Sequence, residues 1–221
     1  MTTSIQHHVD TATLMSFSAG TLNGSLAAVV AAHVSTCSHC AREVAAMDLV
    51  GATLLGGLPV PLQAAGEDHP PMPRPTLVSP APAAEETAVS EDSAIIPAPI
   101  RKRFGISGKN IRWQRLAPGV WHYRFSQDGE NAGDLRLLKI APGYRMLEHG
   151  HGGTELTLVL EGAFSDSTGE YLPGDIQEVA DEIEHSPVAD KVAGCICLIA
   201  SEERARFRGV VGKVVQAWTG L

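Results

Sequence analysis

Apolar positions in the first 57 residues recur every three or four places, the period of a helix with one buried side. Leu14 and Phe17 follow Asp10, a good capping residue, and precede Gly20, a good stop, so a first helix is expected there. Leu26, Val29, Val30 and His33 mark one side of a second helix, opened by Asn23 or Ser25. Val44, Met47, Val50 and Leu54 mark a third, which begins near Ser38 and ends at Gly56-Gly57. Past residue 100 the pattern changes to short apolar runs: DLRLLKI (134–140), ELTLVLEG (155–162) and CICLIA (195–200). Turn signals divide them: APG at 117–119 and 141–143, QDGEN at 127–131, STGE at 167–170 and PGD at 173–175. Many short strands with regular turns predict a sandwich or barrel. The expected architecture is two domains, a small all-α bundle followed by an all-β domain.

Composition places the boundary between them. Residues 59–100 hold ten of the 14 prolines and carry six acids against one arginine. Prolines at 59, 61, 70, 71, 73 and 75 preclude a continuous helix, so an extended acidic linker is expected. Its proline-free part, 83–96, has a weak apolar stripe and suits a short helix. Phe17 is the only aromatic residue before the linker, and all the others follow it. Three short helices in fewer than 60 residues make a small core, and such a module usually needs a metal or a partner.

Charge and cysteine usage narrow the function classes. A net charge of −8 argues against direct binding of nucleic acid through a broad basic surface. Four cysteines in two close pairs are too few for a disulfide scaffold. The N-terminus lacks the basic-then-apolar pattern of a signal peptide, and no apolar run approaches the length of a membrane span. The expected location is the cytoplasm, where thiols stay reduced.

The stretch HVSTCSHC, His33 to Cys40, carries the first chemistry. His33 and Cys37 are four apart on one helix face, and Cys40 follows in a CxxC turn that opens the next helix. Helix N-termini favour thiolates, the ligand form of cysteine. Three ligands leave a tetrahedral zinc one short, and His7 or His8 can supply the fourth. His39, inside the CxxC turn, is expected to point away. An N-terminal HH followed by HxxxCxxC between two helices resembles the zinc-binding anti-sigma domain, over about residues 1–58. That domain holds an extracytoplasmic-function sigma factor away from RNA polymerase. The resemblance implies His8, His33, Cys37 and Cys40 as the zinc ligands. Domains of this type usually carry a fourth helix against the sigma factor, and here its expected place is proline-rich, leaving 83–96 to supply it.

The second constellation is GYRMLEHGHGGTELTLVLEG, residues 143–162. His149 and His151 leave one face of a strand, a Gly-Gly turn reverses the chain, and Glu155 opens the next strand pointing back. Two imidazoles and a carboxylate converging inside a barrel make a divalent-metal site. The stretch matches the first cupin motif at every position, which implies a double-stranded β-helix, or jelly-roll barrel, over 101–221. Cupins add a histidine from a later strand. His185, the only histidine after His151, takes that place, although the second motif is loose, and His122 is an outside candidate. Zinc is the first expectation for this site, with iron, manganese or nickel as alternatives. Cys195 and Cys197 read as buried small hydrophobes, and Glu161 and Asp175 as turn residues.

Together the halves resemble the ChrR family of anti-sigma factors. The resemblance implies a non-enzymatic regulator. Its zinc domain would bind the sigma factor, and its cupin would release it under oxidative, singlet-oxygen-type stress. The rival is a metal-dependent cupin dioxygenase or isomerase with an accessory zinc domain, since the cupin fold hosts many activities.

Overall fold

The computed structural model describes residues 4–57, 95–106, 111–126, 133–147, 149–150, 153–180, 186–202 and 206–207. Helix α1 (Thr11–Ser18) is opened by Asp10, whose carboxylate accepts the Ala12 N–H at 2.8 Å. Helix α2 (Gly24–Val34) is opened by Asn23, whose side-chain oxygen accepts from Ser25 N at 3.1 Å and Leu26 N at 2.9 Å. These bonds satisfy backbone donors that the first turn of a helix leaves without partners. Helix α3 (Ser38–Gly56) starts at Cys37 and has no such side-chain cap.

Six strands form one antiparallel sheet: β1 (Gln114–Ala117), β2 (Val120–Arg124), β3 (Asp134–Ile140), β5 (Glu155–Gly162), β8 (Ile176–Val179) and β10 (Cys195–Ser201). Their order is β1-β2-β3-β10-β5-β8. A smaller sheet, ordered β7-β6-β9, contains β6 (Phe164–Asp166), β7 (Gly169–Tyr171) and β9 (Val188–Ala189). A third pair joins β4 (His149–Gly150) to β11 (Arg206–Phe207). The register explains why the long strands are apolar almost throughout. Leu198 lies opposite Leu137 and Leu158, while Cys197 next to it lies opposite Leu138 and Val159. The first row belongs to a cluster shared with the helices, and the second packs toward Phe164 and Tyr171 of the small sheet. A strand buried on both faces has no polar side to alternate with.

The helical module therefore does not keep a core of its own. One continuous cluster runs from Val9, Leu14, Leu26, Val29 and Val30 to Leu135, Leu156, Leu198 and Ala200 on the sheet. Leu26, Val29 and Val30 are almost wholly excluded from solvent. Each such side chain contributes about 1.5–3 kcal/mol on burial, and the outer face of the sheet is what excludes water from them. The small core expected of three helices is thus completed by the barrel rather than by a metal alone.

The C-terminal end of the expected linker is also part of this core. Ile96 and Ile100, which the proline pattern assigned to the linker 59–100, are fully buried. They flank Pro97 at the start of α4 (Ala98–Phe104), a helix with Pro99 in its first turn, where a missing N–H costs nothing. Arg101, Lys102 and Arg103 occupy its last turn, and Gly105 closes it in the left-handed region at φ 62°. Arg103 donates to the Gly24 carbonyl at 2.9 Å, which ties α4 to the start of α2. Of the candidate helix 83–96, residues 83–94 lie outside the described residues, and Ile95 and Ile96 are not helical. No described helix is long and apolar enough to cross a membrane.

Candidate metal centre

The end of α2 and the start of α3 bring His33, Cys37 and Cys40 together through local geometry. Cys37 N donates to the His33 carbonyl at 2.8 Å, closing the turn between the helices. The extended segment before α1 then lays His8 across them. One ligand-type atom from each of His8, His33, Cys37 and Cys40 lies within 4.8 Å of the others. A tetrahedral zinc with two sulfur and two nitrogen donors needs edges of about 3.3–3.8 Å, so closure by about 1 Å completes the site. Cys37 Sγ is 3.3 Å from His8 Nδ1.

His33 carries the strongest sign that the cluster fits a metal. Its Nδ1–H donates to the Gly174 carbonyl at 3.0 Å, which leaves the lone pair on Nε2. That Nε2 is buried and has no hydrogen-bond partner among the described residues. A buried acceptor without a donor is costly, and a cation is the partner its lone pair suits. Burial lowers the His33 imidazole to about 4 and pushes the Cys40 thiol up to about 11. His8 is lowered as well, by burial first and then by neighbouring His39. The site thus holds a neutral imidazole, the form that ligates metals, beside a Cys40 thiol that gives up its proton when a cation replaces it.

The two adjacent histidines separate cleanly. His7 turns to the barrel, its ring centroid 4.3 Å from that of Tyr171, while His8 faces the cysteines. His39 does not point away as expected: its ring lies 4.4 Å from that of His8. It stands at the second position of α3, from which an exposed ring reaches back over the N-terminal segment. It is not one of the four clustered groups.

Asp175 is the residue that the sequence reading missed. It is 1% exposed, and its carboxylate accepts from Leu172 N at 2.9 Å, as a turn residue does. It also accepts from Gln6 N at 2.6 Å and His7 N at 3.0 Å, immediately before His8. The PGD signal made the turn visible, but nothing local indicates a partner 169 positions away. Glu178, on β8, extends the same seam, accepting from Asp10 N at 3.1 Å and from the Thr13 hydroxyl at 2.6 Å.

In the barrel, Glu155 opens β5, opposite Val179 and Ser201, and is buried. Burial pushes its carboxyl up to about 8, and the Thr157 hydroxyl donates to it at 3.4 Å. His149 stands on β4 opposite Phe207, but its side chain, His151 and His185 lie outside the described residues. His122 instead pairs with Arg136, its Nδ1 3.2 Å from the guanidinium. Cys195 and Cys197 are buried free thiols on the inner face. Cys195 beside it, and then burial, push the Cys197 thiol well up.

Comparison with known proteins bears on both halves. Residues 101–204 match the ChrR cupin-like domain. The anti-sigma-E factor ChrR of Cereibacter sphaeroides is 36% identical over 214 residues, spanning 96% of this chain and 97% of that protein. The crystal structure of Rhodobacter sphaeroides SigE in complex with the anti-sigma ChrR contains a chain 35% identical to this one. It superposes with a TM-score of 0.68, covering 89% of this chain and 99% of that one.

Proposed function

The chain belongs to the ChrR family of anti-sigma factors, and from that premise we propose that it binds and inhibits an extracytoplasmic-function sigma factor in the cytoplasm. The helical module, residues 1–58, is the binding part. The barrel, residues 101–221, is the part that answers oxidants of the singlet-oxygen type, and residues 59–100 join the two, with Ile96 and Ile100 packed into the shared core. His8, His33, Cys37 and Cys40 hold zinc. His149, His151, Glu155 and His185 hold a divalent metal, with zinc ahead of iron, manganese and nickel. Zinc at the first site would neutralise the paired thiolates and cross-link the N-terminal segment to α2 and α3.

The observation that carries the binding reading is the second half of α3. Val44 and Met47 pack against the core, but the apolar side continues past them into solvent. Val50, Leu54 and Leu55 are 60%, 68% and 71% exposed on that side, and Met15 on α1 is 58% exposed. Several large apolar side chains left in water along one helix mark a surface that a partner covers. The relative whose fold matches over nearly its whole length was crystallised with SigE on it, and a sigma factor is the partner this face suits.

The test is co-purification with the cognate sigma factor, using wild type and the double variant Val50→Asp, Leu54→Asp. Charges on these exposed positions should leave zinc content and thermal midpoint unchanged. Sigma affinity should fall by about 30-fold or more, the effect of about 2 kcal/mol at an interface hot spot. Undiminished affinity in that variant would overturn the reading.

A further inference from the structure

The N-terminal metal centre is not built by the helical module alone. We infer that the barrel's Leu172–Asp175 turn is its outer shell, with Gly174 orienting one ligand and Asp175 positioning the segment that carries another. The inference rests on the reading that His8, His33, Cys37 and Cys40 bind zinc.

Three observations converge on this turn. Its Gly174 carbonyl fixes the His33 tautomer, holding Nδ1–H so that Nε2 faces the other ligands. Groups in this position normally raise ligand basicity and lock ring orientation. Its Asp175 carboxylate takes the backbone N–H groups of Gln6 and His7, so His8 leaves the chain at the cluster. The turn also cannot be padded. Gly174 has φ 94°, and a Cβ there would meet Ile5 Cγ1 at 2.9 Å. The N-terminal segment therefore lies directly on the turn, where a small displacement of β7 or β8 reaches two ligands at once. The same link runs in both directions, so filling the metal site stiffens the turn, and moving the turn loosens the metal.

The experiment uses the full chain loaded with cobalt in place of zinc. The thiolate-to-cobalt charge-transfer band reports Cys37 and Cys40 separately from the nitrogen and oxygen ligands of the barrel. Metal affinity is read by competition with a chromophoric chelator. Asp175→Asn keeps the size of the side chain but removes one acceptor, so the Gln6, His7 and Leu172 amides cannot all be satisfied. We expect metal affinity at the thiolate site to fall about 10- to 100-fold, with a change in the d–d bands as His8 loses its place. Glu178→Ala, a less buried change on the same seam, should weaken the metal severalfold and decides the matter if the Asn variant does not fold. Wild-type affinity and spectrum in a folded Asp175→Asn, or in Glu178→Ala if that variant must decide, would overturn the inference and leave the metal centre standing. A wild-type chain with no thiolate–cobalt band would remove the metal reading, and the inference with it.

Discussion

Helices α2 and α3 are written in nearly the same alphabet of Ala, Val and Leu, yet they meet opposite fates. In α2, Leu26, Ala28, Val29, Val30, Ala32 and His33 are all buried, because α1 and α3 lie on one side and the sheet on the other. In α3 only Cys40 is fully buried, and the last turns run free of the core. The difference teaches that apolar content alone does not tell a structural helix from a recruiting one. What separates them is how many neighbours the fold supplies. For α2 the fold supplies a barrel, and for the end of α3 it supplies water.

The largest effect that would break this contrast is in α2. Leu26→Ala should cost about 2–5 kcal/mol in a denaturant melt, with the helical and barrel signals lost together, since the cavity opens in the shared cluster. An aspartate at Val50 or Leu54 in α3 should move the same melt by no more than about 0.5 kcal/mol. A Leu26→Ala melt in which the barrel signal keeps its wild-type midpoint would mean the two halves do not share a core. A smaller effect sharpens the comparison at the helix starts. Asn23→Ala removes the acceptor for two N–H groups and should cost about 1 kcal/mol, read in the same melt. Cys37 begins α3 with no cap to lose, so its replacement should act through metal content instead.

The smallest effect lies in the barrel, away from both helices. Burial, and then the neighbouring Arg136, hold the His122 imidazole below its ordinary range, with Asp134 opposing and Arg124 adding to the effect. The folded state therefore keeps His122 neutral where the unfolded chain takes up a proton. Its contribution to stability is fully present above about pH 6.5 and is lost as the pH falls from there through the folded value. His122→Gln should lose less stability than wild type between about pH 7.5 and about pH 5.5. Equal losses in denaturant titrations at the two pH values would contradict this.

Features set by neighbours in sequence are legible in the chain itself. Asp10 as a first cap, Asn23 or Ser25 as a second, the three helices, and the runs at 134–140, 155–162 and 195–200 follow from period and turn chemistry, and the structure chooses Asn23. The spacing from His33 to Cys40 is equally local. Features set by distant partners were not legible. Ile96 and Ile100 sit among prolines and look like linker until the start of α2 appears beside them. Asp175 satisfies its own turn, so nothing in its surroundings signals the amides of Gln6 and His7. His39 was placed by its position inside the CxxC turn, which says nothing of the N-terminal segment that brings His8 against it.

The shared cluster separates the chain's continuity from its cohesion. A protease that cut anywhere between residues 58 and 94 would sever one backbone but leave Leu26, Val29 and Val30 against Leu135, Leu156 and Leu198. The products would behave as a non-covalent pair, still assembled and still carrying the exposed end of α3. Cleavage there would lower the cost of later disassembly without causing it. Degradation of such an inhibitor would then need a second event that pulls the two faces apart.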